Sequence, residues 1–353
     1  MSASEWVRPE IRALSAYHVP DATGFIKLDA MENPFTLPDD LAPGLADALR
    51  QASLNRYPDP AARELTSTLR DVAGIPDAFD VMLGNGSDEI IQIIALALAR
   101  PGATLMSVEP SFVMFRVIAE LVGLRHVGVP LRPDFSLDED TLLAAMAKER
   151  PPVVFLACPN NPTGNLFDLD AVERVIRAAP GLVVVDEAYA AFSRESFLPR
   201  LASHPNAVLM RTLSKLGLAG LRLGYLAGGR DWLGEFDKVR LPYNINALSQ
   251  AAATYALRHH PVLLAQAGSI VTSRDALAAE MARLPGITVF PSEANFLLFR
   301  VPDADRAFVG LKSRKILVKN VSRAHPMLAG CLRVSLGTAT ENAAFLSALE
   351  ASL

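Results

Sequence analysis

Three short polar segments of the chain carry side chains that could act together in catalysis. Residues 158–164 (Cys-Pro-Asn-Asn-Pro-Thr-Gly), 186–189 (Asp-Glu-Ala-Tyr) and 212–215 (Thr-Leu-Ser-Lys) each follow or end an apolar run rich in β-branched residues. Asn161 and Asp186 are 25 residues apart, and Asp186 and Lys215 are 29 apart. Each segment alone is weak, because an Asn-Pro-Gly loop is often only a turn and most lysines are solvated. Their occurrence together indicates one site.

The residue types in these segments suit an enzyme that uses pyridoxal 5′-phosphate. The pyridine ring of that cofactor withdraws electrons only while its nitrogen is protonated, and a buried carboxylate such as Asp186 would keep it so. Asn161 and Tyr189 could donate hydrogen bonds to the cofactor's phenolic oxygen. A lysine in an apolar, cation-rich pocket has a lowered pKa, so Lys215 could bond to the aldehyde and later move a proton. We therefore predict Lys215, Asp186 and Tyr189 as the catalytic residues.

A glycine-rich segment could hold the phosphate of the same cofactor. Residues 84–89 (Gly-Asn-Gly-Ser-Asp-Glu) join a short strand to a helix, and Ser87 is predicted to be the N-cap. The amides of Gly86, Ser87 and Asp88 would then face an anion at the start of the helix. The alternative is an ordinary helix start after a glycine turn.

Further residues could complete the cofactor site. Thr212 and Ser214 flank the lysine segment, where Ser214 could bind phosphate, and Arg222 would add a fixed positive charge. Phe112 follows the end of a predicted strand and could stack on the pyridine ring. Burial in the core is the commoner fate of a phenylalanine, so this assignment is weaker than that of Lys215.

The elements that must position these residues alternate along the chain. Helices are predicted at residues 41–52, 61–72 and 88–99. Strands are predicted at 81–83, 104–108, 125–129, 153–157, 182–185 and 207–211. Several of the strands are apolar at consecutive positions, as expected when both faces of a parallel sheet are covered. The pattern predicts a doubly wound α/β layer, which carries functional groups at the carboxyl ends of its strands.

The length of 353 residues favours two domains. After Tyr243 the pattern changes, with a long helix predicted over 261–283, strands at 287–290, 296–300 and 332–336, and a closing helix. This pattern predicts a smaller α+β domain. We divide the chain into an N-terminal arm that joins the small domain (1–40), a large cofactor-binding domain (41–245) and a small C-terminal domain (246–353).

Composition argues against several other classes of protein. Half of the residues are apolar and 20% are charged, which is the balance of a packed globule. No apolar run is long enough for a membrane span, and the N-terminus lacks the apolar core of a secretory signal. The 2 cysteines cannot form a disulfide framework, and the 6 histidines lack metal-ligand spacing. A net charge of −4 without a basic block argues against nucleic-acid binding. A cytoplasmic enzyme without a metal or a membrane partner is expected.

These motifs together resemble those of the fold-type I aminotransferases, which depend on pyridoxal phosphate, over nearly the whole chain. Residues 55–58 (Asn-Arg-Tyr-Pro), 211–215 (Arg-Thr-Leu-Ser-Lys) and 330–338 (Gly-Cys-Leu-Arg-Val-Ser-Leu-Gly-Thr) are most similar to the histidinol-phosphate aminotransferase family. The resemblance implies a large, mostly parallel, doubly wound domain with a smaller α+β domain. It also implies transfer of the amino group of L-histidinol phosphate to 2-oxoglutarate, which gives imidazole acetol phosphate and glutamate.

The resemblance assigns further residues. It implies a homodimer with shared active sites, in which Tyr57 reaches the cofactor phosphate of the partner subunit. Arg333 would bind the acidic groups of both substrates, Asn161 would also contact the substrate, and Tyr17 would close over it.

The sequence departs from the family pattern at three positions. Arg222 follows Lys215 by 7 positions, one fewer than is usual in the family, and we expect it still to reach the phosphate. Phe112 stands where a tyrosine is common, and Met31 stands where a polar residue is common.

Several other functions are compatible with these residues. An aminotransferase for an aromatic or other amino acid, or a decarboxylase acting on threonine phosphate, would use nearly the same cofactor residues. A non-catalytic regulator that binds the cofactor usually has an added DNA-binding segment, for which there is no room before residue 40. A nucleotide-binding domain built on residues 84–87 would leave Lys215 and Asn161 unexplained.

Overall fold

The computed structural model describes residues 2–16 and 19–353. The strands are β1 (Ile26–Lys27), β2 (Asp80–Gly84), β3 (Thr104–Glu109), β4 (Arg125–Pro130), β5 (Val153–Ala157), β6 (Leu182–Asp186), β7 (Ala207–Thr212), β8 (Gly224–Gly228), β9 (Thr288–Val289), β10 (Phe296–Arg300), β11 (Ile316–Leu317), β12 (Lys319–Asn320) and β13 (Cys331–Ser335). The α-helices are α1 (Ala3–Trp6), α2 (Pro9–Ala13), α3 (Ala42–Gln51), α4 (Arg63–Ala73), α5 (Ser87–Leu98), α6 (Met114–Val122), α7 (Glu139–Glu149), α8 (Leu169–Ala178), α9 (Arg230–Asp237), α10 (Ala247–Arg258), α11 (His260–Met281), α12 (Ala304–Ser313) and α13 (Ala339–Glu350). No helix of these described ranges is both long and apolar enough to cross a membrane.

The large sheet has seven strands in the order β2-β8-β7-β6-β5-β3-β4. Strands β4, β3, β5, β6 and β7 are parallel to one another, whereas β8 is antiparallel to both β7 and β2. Every residue of β5 and β6 is buried, because helices cover both faces of the sheet. The predicted α/β fold with a mostly parallel central sheet is confirmed.

The register of this sheet aligns the three polar segments. Ala157 at the end of β5 pairs with Asp186 at the end of β6, and Asp186 pairs in turn with Met210 of β7. The β-branched residues of β6 favour an extended, buried strand, and Asp186 is the first charged residue that this run reaches. The segments that follow these strands therefore emerge at one edge of the sheet.

The start of α5 differs from the prediction. Gly86, with a φ of 83°, is the N-cap, and no side chain makes a capping hydrogen bond there. The prediction that Ser87 is the N-cap is wrong, because Ser87 is already the first helical residue. A left-handed φ favours glycine, and a Cβ atom at this position would lie 2.7 Å from Nη2 of Arg222. Backbone geometry rather than side-chain capping therefore begins this helix.

The C-terminal part of the chain contains a second, antiparallel sheet in the order β12-β13-β10-β9. Most of its apolar residues form a core with those of α11, α12 and α13, whereas Leu298 and Cys331 belong to the cluster on one face of the large sheet. Strand β1 of the N-terminal arm pairs in parallel with β11, so the arm contacts this C-terminal part. Helix α10 follows residue 246 in the chain but packs against α3 and α4 of the large layer.

Candidate active site

The carboxyl ends of β5, β6 and β7 open onto a pocket of about 590 Å³, which includes the part open to solvent. Its lining includes the predicted residues Ser87, Asp88, Phe112, Asn161, Asp186, Tyr189, Thr212, Ser214, Lys215 and Arg222. The structure therefore brings most of the predicted site into one cavity.

Lys215 lies in the 3₁₀ turn Ser214–Leu216 directly after β7, so the large sheet fixes its position. Its Nζ donates a hydrogen bond to the carbonyl of Ala30 at 3.2 Å. Burial, and then the positive charge of Arg333, lower the pKa of Lys215 to about 8. An amine with this pKa is partly neutral near pH 7 and can react as a nucleophile.

Asp186 is the most deeply buried carboxylate of the pocket, with 4% of its surface exposed. Burial raises its pKa to about 7, and the charges of Asp88 and Glu187 act in the same direction. A hydrogen bond from the amide of Ala188 to Oδ1, at 3.1 Å, opposes the effect of burial. A buried carboxyl of this kind is stabilised in its charged form by a cation placed against it. A protonated pyridine nitrogen is such a cation.

Asn161 joins the pocket to the C-terminal sheet. Its Oδ1 accepts a hydrogen bond from Nη1 of Arg333 in β13 at 2.5 Å, and both side chains are 7% exposed. Since Oδ1 has this partner, the amide NH₂ of Asn161 is the group that can donate to a molecule in the pocket. Arg333 does not line the pocket itself but lies directly behind Asn161.

Tyr189 is 3% exposed and packs edge-on against Phe296 at a ring distance of 5.2 Å. Burial raises the pKa of its hydroxyl above the ordinary value, although the nearby charge of Arg333 opposes the rise. The hydroxyl therefore stays protonated near neutral pH and can act as a hydrogen-bond donor.

The predicted phosphate-binding groups gather at the start of α5. The Thr212 hydroxyl donates to Ser214 Oγ at 3.0 Å, and Nη1 of Arg222 lies 3.5 Å from the same oxygen. Nη2 of Arg222 lies 3.7 Å from Asp88 Oδ2. The loop before Arg222 thus brings the guanidinium beside the first turn of the helix. Helix amides, two hydroxyls and a guanidinium are a donor set that suits a phosphate.

Phe112 lines the pocket and is only partly buried, which distinguishes it from an ordinary core phenylalanine. Its ring packs edge-on against Phe115 at 5.5 Å. The exposed part of the ring can therefore meet a planar ring in the pocket.

Among the predicted site residues that the structure describes, Gly86, Arg333 and Tyr57 do not line this pocket. Tyr57 is 81% exposed and stacks on Tyr243 at 4.5 Å, away from the pocket of its own subunit. Its predicted role requires a partner subunit. Tyr17 lies outside the described residues.

The irregular segment that follows β1 contributes a contact to the pocket for which the sequence predicted no role. Met31 lines the pocket, and its backbone has a φ of 54°. Asn295 and Ser335 hydrogen-bond to that backbone. A methionine in an irregular segment carries no periodic or motif signal for this conformation, so only the tertiary structure reveals it.

The donor set of the pocket fits pyridoxal 5′-phosphate. Asp186 could pair with the protonated ring nitrogen. Asn161 and Tyr189 could donate hydrogen bonds to the phenolic oxygen, and Lys215 could bond to the aldehyde. Phe112 offers a face to the ring, and the groups at the start of α5 suit the phosphate. Fold and site together define a pyridoxal-phosphate-dependent enzyme of fold type I.

Comparison with known proteins agrees with this class. A family model described as aminotransferase class I and II matches residues 23–349, and the chain belongs to this family. Histidinol-phosphate aminotransferase 2 of Cupriavidus pinatubonensis is 54% identical over 352 residues, which cover 98% of this chain and 96% of the relative.

Solved structures show the same fold. The histidinol-phosphate aminotransferase of Sinorhizobium meliloti in complex with pyridoxal-5′-phosphate has a TM-score of 0.87 at 27% identity and covers 98% of this chain and 97% of its own. The L-threonine-O-3-phosphate decarboxylase of Porphyromonas gingivalis has a TM-score of 0.76 at 22% identity, with 92% and 98% covered. At that identity the second likeness shows the fold alone.

Proposed function

We propose that the protein transfers the amino group of L-histidinol phosphate to 2-oxoglutarate, giving imidazole acetol phosphate and glutamate in histidine biosynthesis. The observation that supports this choice of substrate is the 54% identity, over 98% of the chain, to a histidinol-phosphate aminotransferase. The arrangement of Asp186, Asn161 and Arg222 around Lys215 supports the reaction type.

Bound pyridoxal 5′-phosphate supplies an electron-withdrawing ring that stabilises negative charge at the α-carbon of the substrate. The side chain of Asp186 keeps the ring nitrogen protonated, because a buried carboxylate favours a cation beside it. Asn161 and Tyr189 hold the phenolic oxygen with their donor groups. The Nζ of Lys215 would take the α-proton of the amino substrate and return it at the carbon that carries the cofactor's aldehyde. A pKa of about 8 suits a group that must both accept and release a proton near neutral pH.

Arg333 binds the acidic group of each substrate, which is a carboxylate of glutamate and, by the same chemistry, the phosphate of histidinol phosphate. Its burial supports this role, because a desolvated guanidinium binds an anion more strongly than an exposed one. Tyr17 closes over the substrate in this proposal.

The functional unit that we propose is a homodimer with shared sites, in which Tyr57 contacts the cofactor phosphate of the partner subunit. The exposure of Tyr57 (81%), Leu54 (76%) and Leu241 (72%) supports an interface in this region. We also propose a cytoplasmic location, where small phosphorylated substrates of amino-acid biosynthesis are available.

A comparison of half-reactions tests the proposed substrate. L-Histidinol phosphate should convert the absorption of the bound aldehyde form to that of the amine form, and 2-oxoglutarate should restore it. L-Phenylalanine and O-phospho-L-threonine are the competing donors, with carbon dioxide monitored for the second. Faster conversion by phenylalanine, or release of carbon dioxide from phosphothreonine, would overturn the proposal. The Lys215→Ala variant, which lacks the reacting amine, is the inactive control.

A further inference from the structure

Three successive backbone carbonyls of the N-terminal arm accept hydrogen bonds from side chains of the site and its support. Nη2 of Arg333 donates to the carbonyl of Asp29 at 3.0 Å, and Nζ of Lys215 donates to that of Ala30 at 3.2 Å. Nδ2 of Asn295 donates to the carbonyl of Met31 at 2.9 Å. Residues 29–31 of the arm are therefore held in contact with the side chains of Lys215, Arg333 and Asn295.

Met31 has a backbone conformation that a methionine rarely adopts. Its φ is 54°, in the left-handed region that favours glycine. Besides the bond from Asn295, its amide donates to Oγ of Ser335 at 2.7 Å, and both partners are buried. Such strain persists only where the surroundings over-determine it, and it is frequent where a side chain must be aimed at a functional site.

The backbone conformation of Met31 bears on the site because this residue lines the pocket. It is 9% exposed and lines the same pocket as Lys215, and the residue before it supplies the carbonyl that Lys215 contacts. The charged groups that act on the Lys215 amine are Arg333 from β13, Glu32 from the arm, Asp88 from α5 and Arg222. Met31 is an apolar residue of the pocket wall that lies among these charged groups.

We propose that Met31 is a positioning and specificity-determining residue, whose thioether forms an apolar wall of the pocket near Lys215 that the carbon skeleton of the amino donor contacts. The inference rests on the proposed aminotransferase function and names one residue that selects its substrates. An apolar, polarisable side chain suits a donor with an uncharged, ring-bearing group near the α-carbon. It also limits the water that reaches the amine of Lys215.

Two nearly isosteric substitutions separate the polarity of Met31 from its size. Met31→Leu keeps an apolar wall, whereas Met31→Gln places an amide there, and neither side chain is branched at Cβ. For Met31→Gln we expect the KM for histidinol phosphate to rise about tenfold, the effect of burying one amide without a partner. For Met31→Leu the KM should stay within about twofold of the wild type, since volume-conserving apolar changes are well tolerated.

A spectroscopic measurement on the holoenzyme distinguishes this role from a purely structural one. The pH at which the absorption of the lysine-bound cofactor changes should rise by roughly half a unit or more in Met31→Gln, because water then solvates the charged form better. It should not move in Met31→Leu. The Ser335→Ala variant removes the partner of the Met31 amide and should shift KM and the spectral midpoint in the same direction as Met31→Gln.

Equal KM values and equal spectral midpoints in the Leu and Gln variants would overturn the proposal. So would losses that only follow the melting temperatures of the variants, because a core residue without a role in the pocket would behave in that way. If the wild type instead uses another amino donor, the proposed substrate fails. The KM comparison is then made with that donor, and the spectral test, which needs no substrate, still decides the role of Met31.

Discussion

The guanidinium of Arg333 and the amide of Asn161 are joined by a hydrogen bond of 2.5 Å between Nη1 and Oδ1. Arg333 is the residue expected to bind the substrate's acidic group, and Asn161 is expected to contact the cofactor's phenolic oxygen. Because one bond connects them, an anion that binds Arg333 also acts on the orientation of Asn161. Substrate binding and the electronic state of the cofactor are therefore expected to be coupled.

Replacing Arg333 by leucine should weaken binding of both substrates. The variant loses a buried, charged donor, so KM should rise by about 10- to 100-fold for histidinol phosphate and for 2-oxoglutarate. The absorption of the bound cofactor should also shift without any substrate, because Asn161 loses its partner. Steady-state kinetics and a spectrum of the resting enzyme measure the two effects. Arg306→Leu, at an exposed position of α12, is the matched control. A KM change for only one substrate would contradict a shared anion site.

Asp186 and Asn161 should differ strongly in their effect on turnover. Asp186→Ala removes the charged partner of the ring nitrogen, a loss of about 3 kcal/mol or more, and should lower kcat by roughly a hundredfold or more. Asn161→Ala removes one neutral donor to the phenolic oxygen, about 1 kcal/mol, and should lower kcat by about tenfold or less. Single-turnover rates at saturating donor provide the measurement. Equal, small losses in both variants would show that the two roles are assigned wrongly.

The buried carboxyl of Asp186 should make the stability of the cofactor-free protein depend on pH. Its pKa is about 7 in the folded chain against 3.8 ordinarily, so the folded state binds the proton more tightly. Stability is therefore lost as pH rises from about 4 to about 7, by a total of about 4 kcal/mol. Asp186→Asn should remove this loss, and saturating cofactor should reverse it. Urea unfolding at pH 5 and pH 8 measures the part of this loss that falls between those values, about 3 kcal/mol, with the exposed Asp77→Asn as control. A pH dependence unchanged in Asp186→Asn would refute the assignment.

The sequence predicted well those features that depend on local pattern. The apolar, β-branched runs of β5 and β6 identify buried parallel strands, and the residues that follow them are carried to one edge by the register of the sheet. Asn161, Asp186 and Lys215 could therefore be grouped from the order and spacing of their segments, since the fold of the large layer does the positioning.

Features that depend on backbone geometry or on distant contacts escaped prediction. Gly86 rather than Ser87 begins α5, because a left-handed φ and the closeness of Arg222 leave no space for a side chain. The contact of Lys215 with Ala30 joins residues 185 positions apart, and the conformation of Met31 depends on two side chains of the C-terminal part. Such contacts exist only after both parts of the chain have packed, so no local pattern encodes them.

Tyr57 provides a test of shared active sites. Tyr57→Ala should reduce activity by about tenfold or more if the hydroxyl contacts the phosphate of the partner's cofactor. When Tyr57→Ala and Lys215→Ala subunits are mixed and allowed to exchange, each mixed dimer has one intact site, so activity should recover. A mixture of Lys215→Ala with a chain that carries both substitutions has no intact site and is the control. Failure to recover, with subunit exchange shown by mass spectrometry, would place Tyr57 outside the partner's site.

The reactivity of Lys215 toward its cofactor should depend on pH in a way that its neighbours set. Because burial and Arg333 lower the pKa of the amine to about 8, about a tenth of it is neutral at pH 7 and nearly all of it above pH 9. The rate at which cofactor-free protein takes up pyridoxal 5′-phosphate should therefore rise with pH and be half-maximal near pH 8. Asp88 raises this pKa and Arg333 lowers it, so Asp88→Asn should move the midpoint to lower pH and Arg333→Leu to higher pH. Stopped-flow absorbance between about pH 6 and pH 10 spans the titration of such a lysine. A rate independent of pH, or shifts of the same sign in both variants, would mean that these charges do not control the amine.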